Sequence, residues 1–274
     1  MDKRIITVFT NNTEISRETV KLLYSKLEKS GFSVSGDFEE NSELIMCIGG
    51  DGAFLTAVHR CGFPAVPFVG INTGHLGFFQ EIVPDEIDAF IDNYKLGKYH
   101  VQRLKTVKAD VEADDKTVEH VGLNEIIVRA NGSYSIHLNI SIGGSFIERF
   151  SGDGILVATP AGSTAYNYSL GGSIVDPRLN LIQITPMAPM NTTAYRSFTS
   201  SILLPSDLSL GIKPEMGSSY DVIVITDGIE FSYKKINKII IEFAEPVINL
   251  IRFESYDFWN KVKNKFLDDK AVRS

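Results

Sequence analysis

The chain has 274 residues, of which 43% are hydrophobic and 22% charged, and it carries a formal net charge of −7. These proportions are ordinary for a globular protein, and the length suits one large domain or two smaller ones. No basic stripe with interleaved aromatic residues occurs, so we expect no nucleic-acid partner. No apolar run reaches the ~18 residues of a membrane span, so we expect no membrane partner.

Two cysteines, Cys47 and Cys61, lack the CxxC or Cys/His spacing of a zinc site. They are predicted to be free thiols in a reducing compartment. The first residues, MDKRIITVFTNN, contain no long apolar stretch typical of a signal peptide. The sequence therefore predicts a cytoplasmic protein.

The first hundred residues alternate between strand and helix patterns. RIITVFT and the apolar run Leu44–Ile48 are typical of buried strands, and AVPFVGIN is a third strand candidate. Between and after them, apolar residues recur at helical spacing, as in Val20, Leu23, Tyr24 and Leu27. This order predicts an α/β domain over 1–100, with a parallel sheet covered by helices.

The pattern changes near residue 100. SIHLNISIGG alternates, and VIVITDGIEFSY places Asp227-Gly228 between two β-rich runs, a strong hairpin signal. Residues 101–253 are therefore predicted to form an all-β sandwich. A last amphipathic helix, within 254–268, is expected to pack back on the N-terminal domain. A single domain with one continuous sheet is the alternative.

The stretch IMCIGGDGAFL places three glycines and an acid between a strand and a helix. Gly49, Gly50 and Gly52 lack Cβ, so their backbone can approach an anion closely, and the N–H groups of the helix start point the same way. Asp51 would repel phosphate unless it binds a metal ion or takes a proton from a hydroxyl nucleophile, and both belong to phosphoryl transfer. A glycine-rich turn capped by aspartate is the alternative.

Two further polar stretches follow strand candidates. NTGHLGFF comes after the third strand, and its His75 is either a phosphate contact or structural. Asn124 and Glu125, in GLNEIIV, could hydrogen-bond a ribose or an adenine edge, or form an ordinary polar turn.

The segment from Arg149 to Val175 holds a second Gly-Asp-Gly and then a dense group of hydroxyl, amide and small side chains. Such residues are poor core material but suit hydrogen bonds to a sugar phosphate, with Tyr166 available to stack on a base. A long polar loop is the alternative, although loops of this length are commonly functional. Asp227 is explained by its hairpin turn and could also face the site.

These motifs resemble those of the bacterial NAD kinases. GGDGAFL, NTGHLGFF, LNEIIV and SGDGILVATPAGSTAYNYSLGG occur in the order found in that family. The resemblance implies a kinase that phosphorylates the 2′-hydroxyl of the adenosine ribose of NAD, with ATP or polyphosphate as donor. It further implies a need for Mg²⁺ or another divalent metal, and a homodimer or homotetramer.

The resemblance also implies roles for individual residues. Asp51 would accept or orient the proton of the 2′-hydroxyl. Gly49, Gly50 and Gly52 would approach phosphate. The residues expected to bind NAD are Asp51, Gly52, Asn124, Glu125, Ser151, Asp153, Ala161, Thr164, Ala165, Tyr166, Asn167, Tyr168, Ser169 and Ala188.

Two positions depart from the family pattern. The family usually has threonine where Ala53 stands, and many members carry a basic residue at the position of Ser151. A lipid kinase shares the fold and the first motif, and a dinucleotide-sensing module without catalysis is a third possibility. The hydroxyl-rich segment argues against a lipid kinase, and the presence of Asp51 argues against a sensing module without catalysis.

Overall fold

The computed structural model describes residues 4–215 and 221–267. The chain divides into two compact units, Met1–Leu104 with Pro246–Ser274 and Lys105–Glu245. The predicted domain bounds of 1–100, 101–253 and 254–268 stay a prediction, and residues 1–3 and 268 lie outside the described part.

The first unit is built on a parallel sheet, as predicted. Its strands are β1 (Ile5–Thr10), β2 (Ser33–Ser35), β3 (Ser42–Gly49), β4 (Phe68–Asn72) and β5 (Gln80–Ile82). The order is β2-β1-β3-β4, and β5 also pairs with β4. Because both faces are covered, β3 is buried along nearly all its length and reads as a continuous apolar run.

Three helices of this unit cover the sheet: α1 (Glu14–Lys29), α2 (Asp51–Arg60) and α3 (Ile87–Lys95). Helix α1 begins after Thr13, whose hydroxyl accepts the N–H of Ser16, and it buries Leu23 and Leu27 against the core. Helix α3 follows a 3-10 turn over Pro84–Glu86 and becomes α-helical at Ile87.

The second unit is a sandwich of two sheets. Its strands are β6 (His100–Ala113), β7 (Lys116–Gly122), β8 (Glu125–Ala130), β9 (Ile136–Ile142), β10 (Ser145–Gly152), β11 (Gly154–Ala158), β12 (Leu181–Met187), β13 (Ile202–Pro205), β14 (Leu210–Pro214), β15 (Val222–Thr226), β16 (Ile229–Tyr233) and β17 (Lys238–Arg252). Strand β6 starts in the first unit, and β17 ends there, where it pairs in parallel with β4.

One sheet of the second unit runs β10-β9-β14-β17, with β6 beside β17 and β7 beside β6. The other runs β13-β12-β11-β8-β15-β16, and neighbouring strands in it pair antiparallel. Buried aliphatic residues of both sheets, such as Val107, Val128, Leu138 and Val157, form the core between them. The alternating pattern of the sequence therefore marks the inward faces of a sandwich.

The remaining helices are short. Residues Ala161–Thr164 form a 3-10 turn and α4 covers Tyr166–Ser169 in the second unit. Helix α5 (Phe258–Phe266) belongs to the first unit and packs there against Phe78, so the predicted return of the C-terminal helix is confirmed. None of the helices in the described part of the chain is long and apolar enough to cross a membrane.

Candidate active site

Asp51 lies at the point where β3 turns into α2. Gly50 caps the helix without any side-chain hydrogen bond, and α2 begins at Asp51 itself, two residues earlier than the sequence pattern indicates. Gly49 has φ of +146°, and a Cβ there would lie 2.6 Å from the Cβ of Ala53. Only glycine fits this position, so the turn places the carboxylate directly at the end of a buried strand.

Gly50 and Gly52 have more space around them than Gly49. A Cβ added at either would meet no atom of the described residues within 4 Å. Packing within the chain therefore does not demand glycine at these two positions. The open space beside the first N–H groups of α2 is what a phosphate would need in order to reach the backbone.

The Asp51 carboxylate is held by a neighbouring loop. Its Oδ2 accepts the backbone N–H of Phe78 at 3.1 Å, and its Oδ1 accepts that of Phe79 at 3.0 Å. The ammonium of Lys265, on α5, lies 3.4 Å from Oδ2. The NTGHLGFF motif thus supplies backbone donors to Asp51, a role that its sequence pattern does not predict.

Gly77 lets this loop come close. A Cβ at position 77 would lie 1.8 Å from Oε1 of Gln80 and 2.5 Å from Oδ1 of Asp51. The Gln80 side chain is only 4% exposed, and neither polar atom of its amide has a hydrogen-bond partner among the described residues. Because an unsatisfied buried amide is costly, this group beside Asp51 is available to water or to a ligand.

A buried ion pair anchors the loop that carries Phe78 and Phe79. The guanidinium of Arg252 donates to the carbonyl of Phe78 at 2.8 Å and to Glu81 at 2.9 Å. Glu81 in turn accepts the N–H of Phe253 at 2.9 Å. Arg252 and Glu81 expose only 2% and 3% of their side chains. Removing either partner of a buried ion pair leaves an uncompensated charge. This pair therefore helps to hold the loop through the bond from Arg252 to Phe78.

Helix α5 adds a second anchor. The ammonium of Lys261 donates to the backbone carbonyl of Gln80. Burial, and then the nearby guanidinium of Arg252, lower the pKa of Lys261 to about 8. His75, at the other end of the motif, is exposed, and its phosphate contact stays a prediction.

In the second unit, Asp227 organises the Asn124–Glu125 turn. Its carboxylate accepts the backbone N–H groups of Leu123, Asn124 and Glu125 at 2.7, 2.8 and 3.1 Å. Asp227 and Gly228 both have positive φ, so the predicted hairpin turn is confirmed. Turn chemistry explains the backbone of Asp227, and the three N–H donors explain why its side chain is an acid.

The side chains of Asn124 and Glu125 are buried. Burial, and then the Asp227 carboxylate, raise the pKa of Glu125 to about 8. Within the described residues, Oδ1 of Asn124 and Oε2 of Glu125 find no hydrogen-bond partner. Buried polar atoms normally find one, so these two atoms are candidates for contact with a ligand.

The alternative of a long polar loop does not describe the whole hydroxyl-rich segment. Thr159, Ser163 and Asn167 are almost fully buried and bond within the chain. The Asn167 amide donates to the carbonyl of Ser163 and accepts the hydroxyl of Thr185 at 2.6 Å. Polar residues here shape the turn because each has an internal partner.

Other members of this segment remain accessible. Tyr166 and Tyr168 are 43% and 42% exposed, and Ser169 is also exposed. Ala161 and Ala165 are half-buried, and Thr164 is buried. The predicted stacking of Tyr166 on a base is thus sterically open and stays a prediction.

Three more predicted residues come together at the end of β10. The N–H of Asp153 donates to the carbonyl of Met187 at 2.9 Å, and that of Met190 donates to Ser151 at 2.7 Å. Asp153 is exposed, whereas Ser151 is buried and its hydroxyl has no partner among the described residues. Ala188 has φ of +43°, a left-handed conformation that is uncommon for alanine.

The fold and these clusters are those expected of a kinase from the sequence. An α/β unit carries the Gly-Gly-Asp-Gly turn, and a β sandwich carries the Asn124–Glu125 turn. The family models narrow this further: the ATP-NAD kinase N-terminal domain matches residues 10–99, and the ATP-NAD kinase C-terminal domain matches residues 123–252.

Curated relatives agree with the family models. An NAD kinase of Finegoldia magna is 40% identical over 270 residues, which are 97% of this chain and 99% of that one. An NAD kinase of Latilactobacillus sakei is 34% identical over 97% of this chain and 98% of its own. The chain therefore belongs to the NAD kinase family.

Solved structures show the same fold. A yeast NADH kinase complexed with NADH superposes with a TM-score of 0.85 at 21% identity, covering 97% of this chain and 87% of its own. An NAD kinase of Archaeoglobus fulgidus in complex with ATP gives a TM-score of 0.75 at 24% identity, covering 95% and 98%. The predicted fold, an α/β domain followed by a β sandwich, is thus confirmed.

Proposed function

We propose that the protein transfers the terminal phosphoryl group of ATP to the 2′-hydroxyl of the adenosine ribose of NAD, which makes NADP. Membership of the NAD kinase family supports the reaction. The observation that carries the proposal is the Asp51 carboxylate, fixed by two backbone donors beside the open first turn of α2. A base and an anion site then meet at one turn, as in-line phosphoryl transfer requires.

The chemical step needs a proton acceptor beside the ribose. As the O2′–P bond forms and the bond from phosphorus to the ADP oxygen breaks, Asp51 takes or orients the hydroxyl proton. The N–H groups at Gly50 to Gly52 would hold oxygens of the donor phosphate. The fixed position of the carboxylate favours this role, because positioning supplies a large part of the rate enhancement in phosphoryl transfer.

The acceptor is assigned to the second unit. Asn124 and Glu125 would hold ribose hydroxyls through their unpartnered oxygens. Tyr166 would stack on the adenine, and Asp153 and Ala188 would contact the rest of the dinucleotide. Asn167 acts on this site by shaping the turn, since its amide already bonds within the chain.

For a divalent metal such as Mg²⁺, the residues of the Gly-Gly-Asp-Gly turn offer one carboxylate ligand. The described part of the chain holds no group of three or more His, Cys, Asp or Glu side chains that could bind a metal ion. Mg²⁺ commonly uses one or two carboxylates plus substrate phosphates, and Asp51 offers a carboxylate at the phosphate turn. The metal would neutralise charge on the transferred phosphoryl group.

The alternatives differ in what they predict. A lipid kinase is disfavoured because both family models are those of NAD kinases. A dinucleotide-sensing module would bind NAD without turnover. Polyphosphate as donor, a homodimer or homotetramer, and a cytoplasmic location stay predictions.

A coupled assay tests the proposal. Purified protein is incubated with NAD, ATP and Mg²⁺, and NADP is read with an NADP-specific dehydrogenase. We expect NADP to form, and polyphosphate replaces ATP in a parallel reaction. Wild-type protein that binds NAD but forms no NADP from either donor would contradict the proposed activity.

The role of Asp51 is tested by Asp51→Asn. The amide keeps the size of the side chain but cannot accept the proton, so we expect kcat to fall by about 10²-fold or more with NAD binding retained. Calorimetric titration with NAD checks binding, and the coupled assay checks turnover. Near wild-type kcat would show that Asp51 is not the proton acceptor.

A further inference from the structure

Helix α5 carries two lysines toward the loop that holds Asp51. Lys261 and Lys265 are four residues apart and so lie on the same face of the helix. Lys261 contacts the backbone of Gln80, whereas Lys265 reaches the Asp51 carboxylate itself. The C-terminal helix thus places a positive charge beside the Gly-Gly-Asp-Gly turn.

The direction of the Lys265 side chain is set by aromatic packing. Its ammonium lies 4.9 Å from the centre of the Phe78 ring, and 3.4 Å from Oδ2 of Asp51. The Phe78 ring lies 5.9 Å from that of Phe258 and 6.1 Å from that of Phe266. The ammonium therefore lies near the face of a packed ring and beside the carboxylate at the same time.

Charge balance gives this lysine a role in the reaction. A donor phosphate at the first turn of α2 brings negative charge next to the negative carboxylate of Asp51, and the two repel each other. The chain as a whole has a net charge of −7 and offers no long-range attraction for ATP. A nearby ammonium offsets both effects.

We propose that Lys265 is a positioning residue for phosphoryl transfer, which holds the Asp51 carboxylate and offsets its repulsion of the donor phosphate. This inference rests on the proposed kinase function. It adds a residue of the C-terminal helix to the groups that hold Asp51, which otherwise are the backbone N–H groups of Phe78 and Phe79.

A purely structural role fits less well. The side chains of Lys265 and Asp51 are 32% and 26% exposed, and partly exposed ion pairs contribute little to stability. The loop keeps its other anchors when Lys265 is removed, namely Arg252, Lys261 and the packing of the Phe78 ring. Loss of the ammonium should therefore change kinetics more than folding.

The test compares three variants in the coupled assay with wild-type protein. Lys265→Met keeps the stem and removes the charge, Lys265→Arg keeps the charge, and Lys263→Met removes an exposed charge from the same helix. We expect Lys265→Met to lower kcat/KM for ATP by roughly tenfold or more, since the ammonium no longer offsets the repulsion between the Asp51 carboxylate and the donor phosphate. Its KM for NAD and its melting temperature should stay near the wild-type values.

The other variants complete the test. Lys265→Arg should stay within about threefold of wild type, and Lys263→Met should match it. Equal kinetics for Lys265→Met and Lys263→Met would overturn the inference. So would a loss in Lys265→Met that affects ATP and NAD alike, follows a lower melting temperature and is not rescued by arginine. If the wild type itself forms no NADP, the proposed function fails instead.

Discussion

Gly77 offers a sharp test of how Asp51 is positioned. Gly77→Ala adds one methyl group at a point 1.8 Å from Oε1 of Gln80, 2.5 Å from Oδ1 of Asp51 and 2.9 Å from its Cγ. The φ of Gly77 is not among the positive values, so alanine causes no backbone strain there. The effect of the substitution is therefore steric.

The magnitude follows from these distances. Carbon atoms in contact normally stay about 3.5–4.0 Å apart, so the carboxylate has to move by roughly 1 Å even if Gln80 swings away. Overpacking of this kind costs about 1–3 kcal/mol of unfolding free energy. A misplacement of about 1 Å at a reacting group lowers turnover on the order of 10²-fold. We therefore expect a protein that folds, binds NAD and has lost most of its kcat.

The assay pairs Gly77→Ala with Gly36→Ala, an exposed glycine of the same unit. A Cβ at Gly36 would meet only the hydroxyl of Tyr24, at 3.7 Å. Both variants are compared in the coupled assay and by thermal melting. Turnover of Gly77→Ala within about threefold of Gly36→Ala, at equal stability, would refute the argument that Gly77 sets the position of Asp51.

Two further predictions concern stability. Arg252→Met leaves the carboxylate of Glu81 buried without its partner, so urea denaturation should show a loss of about 3–5 kcal/mol. Burial, and then the Asp227 carboxylate, raise the pKa of Glu125 from its ordinary 4.5 to about 8 in the folded protein, so wild-type stability should fall as pH rises through that window. At about 1.4 kcal/mol per pKa unit the fall reaches a few kcal/mol, and Glu125→Gln should lack it when urea midpoints are compared at pH 5 and 8. A wild type whose midpoint changes no more than that of the glutamine variant would contradict the burial argument.

Much of the fold follows from local patterns in the sequence. The continuous apolar run Leu44–Ile48 indicates a strand buried on both faces, as in a parallel sheet. The alternating apolar and polar residues of SIHLNISIGG indicate a strand buried on one face, as in an antiparallel sheet. Asp227-Gly228 predicts its turn because positive φ at both positions suits these residue types.

Composition was a weaker guide where polar residues are buried. By composition, hydroxyl and amide side chains are expected to be poor core material. Ser163 and Asn167 are nevertheless buried, and they bond to Val175 and Thr185 respectively. A hydroxyl or amide group is buried only when it forms a hydrogen bond, and its partner can be distant in the sequence. The local sequence pattern does not identify that partner.

Local sequence patterns suffice to predict the Gly-Gly-Asp-Gly turn, the order of the two units and Asp51 as the acid at a strand end. What holds that acid depends on tertiary contacts. Phe78, Phe79 and Lys265 are 27, 28 and 214 residues away along the chain. Their contacts exist because the parallel strands bring their carboxyl ends to one edge, where Gly77 leaves room and α5 packs on Phe78. Periodicity describes which face of an element is buried, whereas the partner of a side chain depends on how distant elements pack.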